Sequence, residues 1–231
     1  LRIKFLDWLK PDWGYLGAYL RISIPVILAG ASWGIGVFLQ TSILGHVGAT
    51  AVAANSISTT MFQISTIFYR GTSGASSIII GKTIGAGQTD KIKPYTRTIQ
   101  LIFLAFGILS ALIIMLLRSF VIDFYTLTPE ARELTRDFML ILAIAVIGTS
   151  YEYPVVVGII QSGGDTKYGL VVDTVFMFLL TLPLAYLSAF VFHWPAEITY
   201  IFLNCDQILK CLPNGIKVNR YKWIRVLTRE A

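Results

Sequence analysis

Charge, cysteine and histidine are all scarce in this chain of 231 residues: charged residues make up 14%, and there are 2 cysteines and 2 histidines. Neither histidine is near Cys205 or Cys211 in sequence, so the converging soft ligands of a metal site are lacking and both cysteines are interpreted as packing residues. The sequence shows no Ser/His/Asp set, metal cluster or phosphate loop that would indicate an enzyme. These absences leave few kinds of catalytic or metal chemistry open.

Long uncharged apolar runs fill most of the chain instead. Hydrophobic residues make up 55% and the mean hydropathy is +0.68, far from the composition of a soluble domain. A helix needs about 20 mainly apolar residues to cross a bilayer. The runs therefore predict an all-α membrane protein with six transmembrane helices, at residues 20–44, 48–83, 97–121, 133–161, 167–191 and 194–212. A cytoplasmic amphipathic linker (1–19) and a basic cytoplasmic tail (213–231) flank them.

The gaps between the runs differ in charge, which predicts the orientation. With six helices, three of the Lys and Arg residues fall on one side, fifteen fall on the other and Arg70 lies inside a helix. Cytoplasmic loops carry the excess of Lys and Arg, so both termini are predicted to be cytoplasmic. Interruption of the second helix at Arg70, or of the fourth at Glu152, would invert everything after it. The net charge of +6 suits an anionic inner leaflet and requires no nucleic acid.

The second predicted helix is unusually polar for a membrane span. Asn55, Thr59 and Gln63 either line a water-filled cavity or belong to a tightly packed helix rich in small residues. Arg70 either joins that cavity or extends its head to the lipid phosphates. The tail after residue 216 is open between a helix on the inner membrane surface and a solvated basic segment.

Two acids lie among apolar residues inside predicted helices, where ionisable groups are costly and are functional candidates. Glu152 and Asp173 flank the same hairpin, centred near Gly164 and predicted to lie on the inner side, and they lie at similar depth. We therefore expect that they can face each other and bind a coupling ion or a cationic substrate. The structural alternative is that Asp173 only hydrogen-bonds Thr174 or a helix end. Asp206 and Lys210 are one helical turn apart and are predicted to form a surface ion pair near the inner interface.

Several motifs resemble the multidrug and toxic compound extrusion (MATE) family. They are the segments 81–88 (GKTIGAGQ), 158–167 (GIIQSGGDTK), 183–185 (PLA) and 222–225 (KWIR). The resemblance implies the C-terminal six-helix lobe of a twelve-helix secondary antiporter. Such a protein exports drugs or amphipathic, often cationic, metabolites across the cell membrane in exchange for H⁺ or Na⁺. It also implies a first lobe as partner and no cofactor.

The sequence departs from that family at identifiable positions. Ile160-Gln161 stands where relatives usually have Leu-Arg, and the first predicted helix lacks the acid that one branch carries. A lipid-linked oligosaccharide flippase of the same superfamily is an alternative, although it would be expected to show several basic cavity residues where this chain has Arg70. The third possibility is a half-protein that does not transport. Substrate and coupling ion are not specified by the sequence.

Overall fold

The computed structural model describes residues 13–224, which form helices joined by short turns, with no strand in that range. The helices are α1 (Trp13–Val47), α2 (Ala49–Gly85), α3 (Thr89–Asp123), α4 (Pro129–Pro154), α5 (Thr166–Val175), α6 (Leu182–Tyr186), α7 (Ala196–Asn204), α8 (Asp206–Leu209) and α9 (Cys211–Asn219). Three π-helical segments lie at Val155–Ile160, Phe176–Thr181 and Leu187–Val191. The predicted all-α fold is confirmed.

Four stretches are long and apolar enough to cross a membrane: Ser23–Val47, Thr89–Asp123, Pro129–Ile160 and Thr166–Val191. Helix α2 has 37 residues, a length of about 55 Å, but its Ser, Thr and Gly residues lower its hydropathy. Single residues, Cys205 and Lys210, separate α7, α8 and α9. The chain is thus a helical membrane protein, whereas the number of six crossings stays a prediction.

Local sequence explains where several of the helices begin and end. Gly48, with φ 149°, is the single residue between α1 and α2, in a backbone region that side chains with a Cβ rarely adopt. The Thr128 side chain accepts a hydrogen bond from the Ala131 backbone N–H and caps α4, and Pro129 occupies its first turn. Neither Arg70 nor Glu152 interrupts its helix.

Helix α4 is the centre of the bundle. In the most apolar window of Pro129–Ile160, 61% of the residues are buried, against 17% for Ser23–Val47 in α1. Helices α2, α3 and α7–α9 pack around α4, and α1 packs mainly along α5 and the segments that continue it. The outer faces of α1, α3 and α5 expose many large apolar side chains, as a protein surrounded by lipid or by further helices would.

The predicted boundary between lobe and tail at residue 213 has no counterpart in the fold. Helix α9 continues to Asn219, and Val218 and Trp223 are fully buried beside the inner hairpin. The Trp223 indole N–H donates to the Val218 carbonyl at 2.8 Å. The first part of the tail therefore packs on the lobe, and it is neither a surface helix nor a solvated segment as far as Ile224. At the other end, α1 begins at Trp13, inside the predicted linker; residues 1–12 and 225–231 lie outside the described part of the chain.

Candidate functional site

Four charged side chains from three parts of the bundle meet at one point. The Lys210 ammonium nitrogen Nζ lies 3.1 Å from Asp206 Oδ2, 3.2 Å from Asp173 Oδ1 and 3.5 Å from Glu152 Oε1. Glu152 comes from α4, Asp173 from α5, and Asp206 from the start of α8. We call these four residues the charge cluster. With all groups ionised, three carboxylates surround one ammonium, so the cluster carries a net charge of −2.

The cluster is buried except on one side. The side chains of Lys210 and Glu152 are each 7% exposed and that of Asp206 is 2% exposed, whereas Asp173 is 34% exposed. Asp206 Oδ2 contacts Lys210, but Oδ1 of the same carboxylate is buried and has no hydrogen-bond partner among the described residues. A buried carboxylate oxygen without a donor is costly in a low dielectric. Asp173 is the most exposed of the four members.

The cluster is carried by three helical rods: α4 with its π-helical continuation, α5 with the segments that follow it, and α7–α9. All three depart from α geometry beside the cluster. Glu152 and Asp173 each precede a π-helical segment by three residues, at Val155 and Phe176. The rod formed by α7–α9 is interrupted at Cys205 and at Lys210 itself, on either side of Asp206. π-Helical turns are frequent at functional sites, and transporters place ion sites where membrane helices are discontinuous. Two of the three π-helical segments and both interruptions of the last rod thus lie beside the charge, while the third π-helical segment, Leu187–Val191, lies in an apolar stretch.

A close helix approach positions Asp206. A Cβ on Gly148 would overlap the backbone of Gln207, so α4 and α8 touch where Gly148 lacks a side chain. Thr149 Oγ1 donates to Gln207 Oε1 at 2.9 Å across the same contact. Gly148 lies one turn before Glu152, and Gln207 directly follows Asp206. The contact therefore fixes the separation of the two carboxylates.

A polar chain connects the cluster to the inner hairpin. The Asn214 amide nitrogen donates to Glu152 Oε2 at 3.4 Å, and the Tyr168 hydroxyl donates to Asn214 Oδ1 at 2.9 Å. Lys217 Nζ lies 5.0 Å from the centre of the Tyr168 ring and 2.7 Å from Asp165 Oδ2, at the hairpin. Asn214 is fully buried. The cluster is thus continuous with polar groups that extend to the side predicted to be cytoplasmic.

The structure corrects two expectations about these acids. Asp206 and Lys210 do form an ion pair, but it is buried and is not a surface pair. Lys210 therefore does not belong with the loop cations, and the predicted asymmetry becomes fourteen to three. Glu152 and Asp173 do lie at one site, but they face the same ammonium. The Thr174 hydroxyl lies 3.2 Å from that of Ser32, while the partner of Asp173 is Lys210.

The candidate cavity residues of α2 share one face. Asn55 and Thr59 are half-buried, with Thr59 Oγ1 donating to Asn55 Oδ1 at 3.2 Å, and Gln63 and Arg70 are exposed. The Arg70 guanidinium lies 6.0 Å from the centre of the Tyr153 ring. At about 100° per residue these four positions fall within an arc of about 80°. A cavity role for them stays a prediction.

Sequence reasoning missed Lys210, Asp206, Asn214 and Tyr168 as parts of the site. The signal was present, because the predicted sixth helix, 194–212, already contained the first two. Charge inside a predicted span is a functional signal wherever it occurs. The short uncharged run before Asp206 led to an interfacial placement. The described residues contain no group of three or more His, Cys, Asp or Glu side chains arranged to hold a metal ion; Lys210 occupies the point where the acids converge.

Comparison with known proteins decides the family. The MatE family profile matches residues 25–187, most of the chain. The chain belongs to the MatE family. This confirms the predicted resemblance to multidrug and toxic compound extrusion proteins, which are membrane transporters and not enzymes.

Among MatE relatives, the chain is 26% identical over 183 residues to an uncharacterized transporter, C4B3.13, of Schizosaccharomyces pombe, covering 79% of this chain and 33% of the relative. It is 22% identical over 227 residues to the probable multidrug resistance protein NorM of Thermotoga maritima, covering 95% and 48%. A solved outward-facing multidrug resistance MATE transporter of the MOP superfamily has the same fold, with TM-score 0.81 at 15% identity over 90% of this chain and 46% of that one. The chain thus spans a third to a half of these proteins' length.

Proposed function

We propose that this chain forms one lobe of a secondary antiporter that exports drugs or amphipathic, often cationic, metabolites in exchange for H⁺ or Na⁺. The charge cluster is the observation that carries the proposal. Charged groups inside membrane helices are expensive and mark ion pathways. Here three carboxylates from three helical rods meet one ammonium at a place where every rod is irregular. Glu152 and Asp173 would bind the coupling ion, with Asp206 as a third ligand.

Transport requires a second lobe in this proposal. Secondary transporters bind substrate between two repeats that rock against each other, and the chain spans about half of the length of its T. maritima relative. The large exposed apolar residues of α1 offer a surface for further helices or for lipid. We place the assembled protein in the cell membrane with both termini of this lobe in the cytoplasm, as the charge asymmetry predicts.

The polar face of α2 is proposed as the wall that meets substrate. Asn55, Thr59 and Gln63 offer hydrogen-bonding groups on one side of the helix, and Arg70 extends from the same side next to Tyr153. This set contains a single cation. An oligosaccharide flippase, the alternative of the same superfamily, would be expected to have several, and Lys210 does not add one because three carboxylates surround it. The face therefore favours export of amphipathic compounds over flipping of an anionic lipid-linked sugar.

Efflux-deficient cells test the proposal directly. We expect the chain alone to give no drug resistance and a fusion behind the first lobe of a MatE relative to give resistance. In the fusion, Glu152→Gln and Asp173→Asn should each abolish or strongly reduce export driven by a Na⁺ or H⁺ gradient, at unchanged protein level in the membrane. Asp123→Asn is the matched control, because Asp123 is exposed and pairs with Arg132 at 2.9 Å, outside the cluster.

The other outcomes separate the alternatives. Export at the parental rate in both cluster variants would remove the coupling role from this lobe. Reduced membrane abundance with unchanged transport per folded molecule would make the acids structural. Resistance from the isolated chain, lost on mutation of Asn55 or Gln63, would mean that two copies form the transporter. A fusion that folds but never exports would favour the half-protein that does not transport.

A further inference from the structure

Lys210 is placed as a bound cation would be placed. An ammonium has three N–H donors, and Nζ has three carboxylate partners at 3.1, 3.2 and 3.5 Å, one from each of three helical rods. A small cation such as Na⁺ would also be held by oxygen atoms from several directions. The difference is that this cation is attached to the chain.

The site also retains capacity for more positive charge. The three carboxylates carry more negative charge than one ammonium neutralises. A buried charge that lacks a partner is strongly destabilising, so further positive charge would be favourable here. Asp206 Oδ1 is buried and accepts no hydrogen bond from any described residue. The other oxygen of the same carboxylate, Oδ2, contacts Lys210, so Oδ1 borders the cluster. This unpartnered acceptor is an observation independent of the clustering of acids.

We propose that Lys210 is a tethered occupant of a monovalent-cation site, and that its ammonium competes with a free cation, Na⁺ or H⁺, for the carboxylates of Glu152, Asp173 and Asp206. The inference rests on the proposed coupling role of the cluster. It adds that the lobe keeps a cation at the site when no coupling ion is bound. The carboxylates therefore still have a counter-ion when the transporter changes conformation without a bound coupling ion.

The structure provides the means for exchange. The lysine side chain has four flexible carbons, and Lys210 lies at the interruption between α8 and α9. Asp173, 34% exposed, is the side from which a cation enters, while Glu152 and Asp206 are buried. A cation that arrives at Asp173 replaces one of the three contacts of Nζ first. The other two are then exchanged as the lysine withdraws.

Thermal unfolding of the chain in lipid nanodiscs tests the competition. The charged groups that contact Nζ are Glu152 on α4, Asp173 on α5 and Asp206 on α8. The further titratable groups beside them are Tyr168 on α5 and Cys211 on α9. In choline chloride, Lys210→Met should have a lower Tm than wild type, because the carboxylates have lost their cation. Replacement of choline by Na⁺ at constant ionic strength should raise that Tm by about 5–10 °C at saturation. If the site takes protons instead, lowering the pH in choline should raise it. Wild type should respond far less to either change, because its own ammonium already occupies the site, and Lys210→Arg should behave as wild type.

Lys217→Met is the matched control, since it removes a lysine that pairs with Asp165 at 2.7 Å outside the cluster. The proposal is overturned if Lys210→Met responds to Na⁺ and pH no more than Lys217→Met, or if wild type responds as strongly as Lys210→Met. Should Lys210→Met unfold in choline, folded protein recovered only when Na⁺ or acid is present throughout purification supports competition, and recovery in neither contradicts it. Transport measurements separate this proposal from the coupling role. If the Tm of Lys210→Met depends on the cation while Glu152→Gln and Asp173→Asn still export at the parental rate, the tethered cation is retained and the coupling role is rejected.

Discussion

Lys210 Nζ lies 3.5 Å from Glu152 Oε1, although 58 residues separate the two in the chain and each side chain is only 7% exposed. Helix α4 is the central helix of the bundle, and Lys210 lies on the rod formed by α7–α9 that packs against it. The pair therefore joins the central helix to the last rod of the bundle. Asp173 and Asp206 contact the same nitrogen, so the ammonium of Lys210 has three carboxylate partners whereas Glu152 has one ammonium partner.

We predict that loss of the lysine charge is more destabilising than loss of one acid. Lys210→Met leaves three carboxylates without a cation, a change of the kind that costs roughly 3–5 kcal/mol. Glu152→Gln leaves two carboxylates beside one ammonium and reduces the excess negative charge, so its cost should be smaller. Thermal unfolding in nanodiscs without Na⁺ gives the order. The double variant should be more stable than the sum of the single effects predicts, and simple additivity would show that the residues do not interact.

The orientation of the lobe gives a second prediction, because the described residues now show which positions are accessible. Single cysteines at His46 and Trp194 should react with an impermeant reagent in intact cells, and those at Lys91, Lys167 and Lys222 only in opened cells. All five side chains are exposed, and Cys205 and Cys211 are replaced in the background. Trp223 is unsuitable as a cytoplasmic reporter because it is fully buried. Labelling of position 91 in intact cells would contradict the six-helix topology.

The helices could be predicted from sequence because their causes are local. Apolar runs of sufficient length, Gly48 at a one-residue turn and Thr128-Pro129 at a helix start are visible without tertiary context. The ends were less predictable: α3 begins at Thr89, eight residues before the predicted start at 97, because the helix continues through polar residues that hydropathy excludes. Hydropathy indicates which residues can lie in lipid. It does not indicate how far the backbone hydrogen bonds of the helix continue outside the apolar run.

The charge cluster was predictable only in part. Charge inside an apolar helix singled out Glu152 and Asp173, and their similar distances from one hairpin predicted a similar depth. Their shared partner depends on how the last rod packs on α4, which is set by a contact between Gly148 and the backbone of Gln207. No local pattern in the sequence encodes that contact. The same limit applies to Trp223, whose burial depends on the inner hairpin at Gly163.

Trp223 gives a third prediction, on stability. It is fully buried, its indole N–H donates to the Val218 carbonyl at 2.8 Å, and its ring fills the space over Gly163. Trp223→Ala should lower the free energy of unfolding by roughly 3–5 kcal/mol, measured as a lower Tm in nanodiscs. Trp194→Ala is the control, since Trp194 is 42% exposed, and it should change the Tm far less. Equal effects of the two substitutions would contradict the docking of the tail on the lobe.

The last prediction concerns the contact that positions Asp206. A methyl group at Gly148 would overlap the Gln207 backbone, so Gly148→Ala must push α8 away from α4 and separate Asp206 from Glu152. We expect a lower Tm and, in the fusion that transports, weaker ion-coupled export at similar membrane abundance. Gly34→Ala on α1 is the matched control, because a Cβ there meets nothing within 4 Å, and alanine favours a helix over glycine by about 1 kcal/mol. Its Tm should therefore be unchanged or higher. If Gly148→Ala matched Gly34→Ala in both stability and export, the close approach of α4 and α8 would not be what holds the charge cluster together.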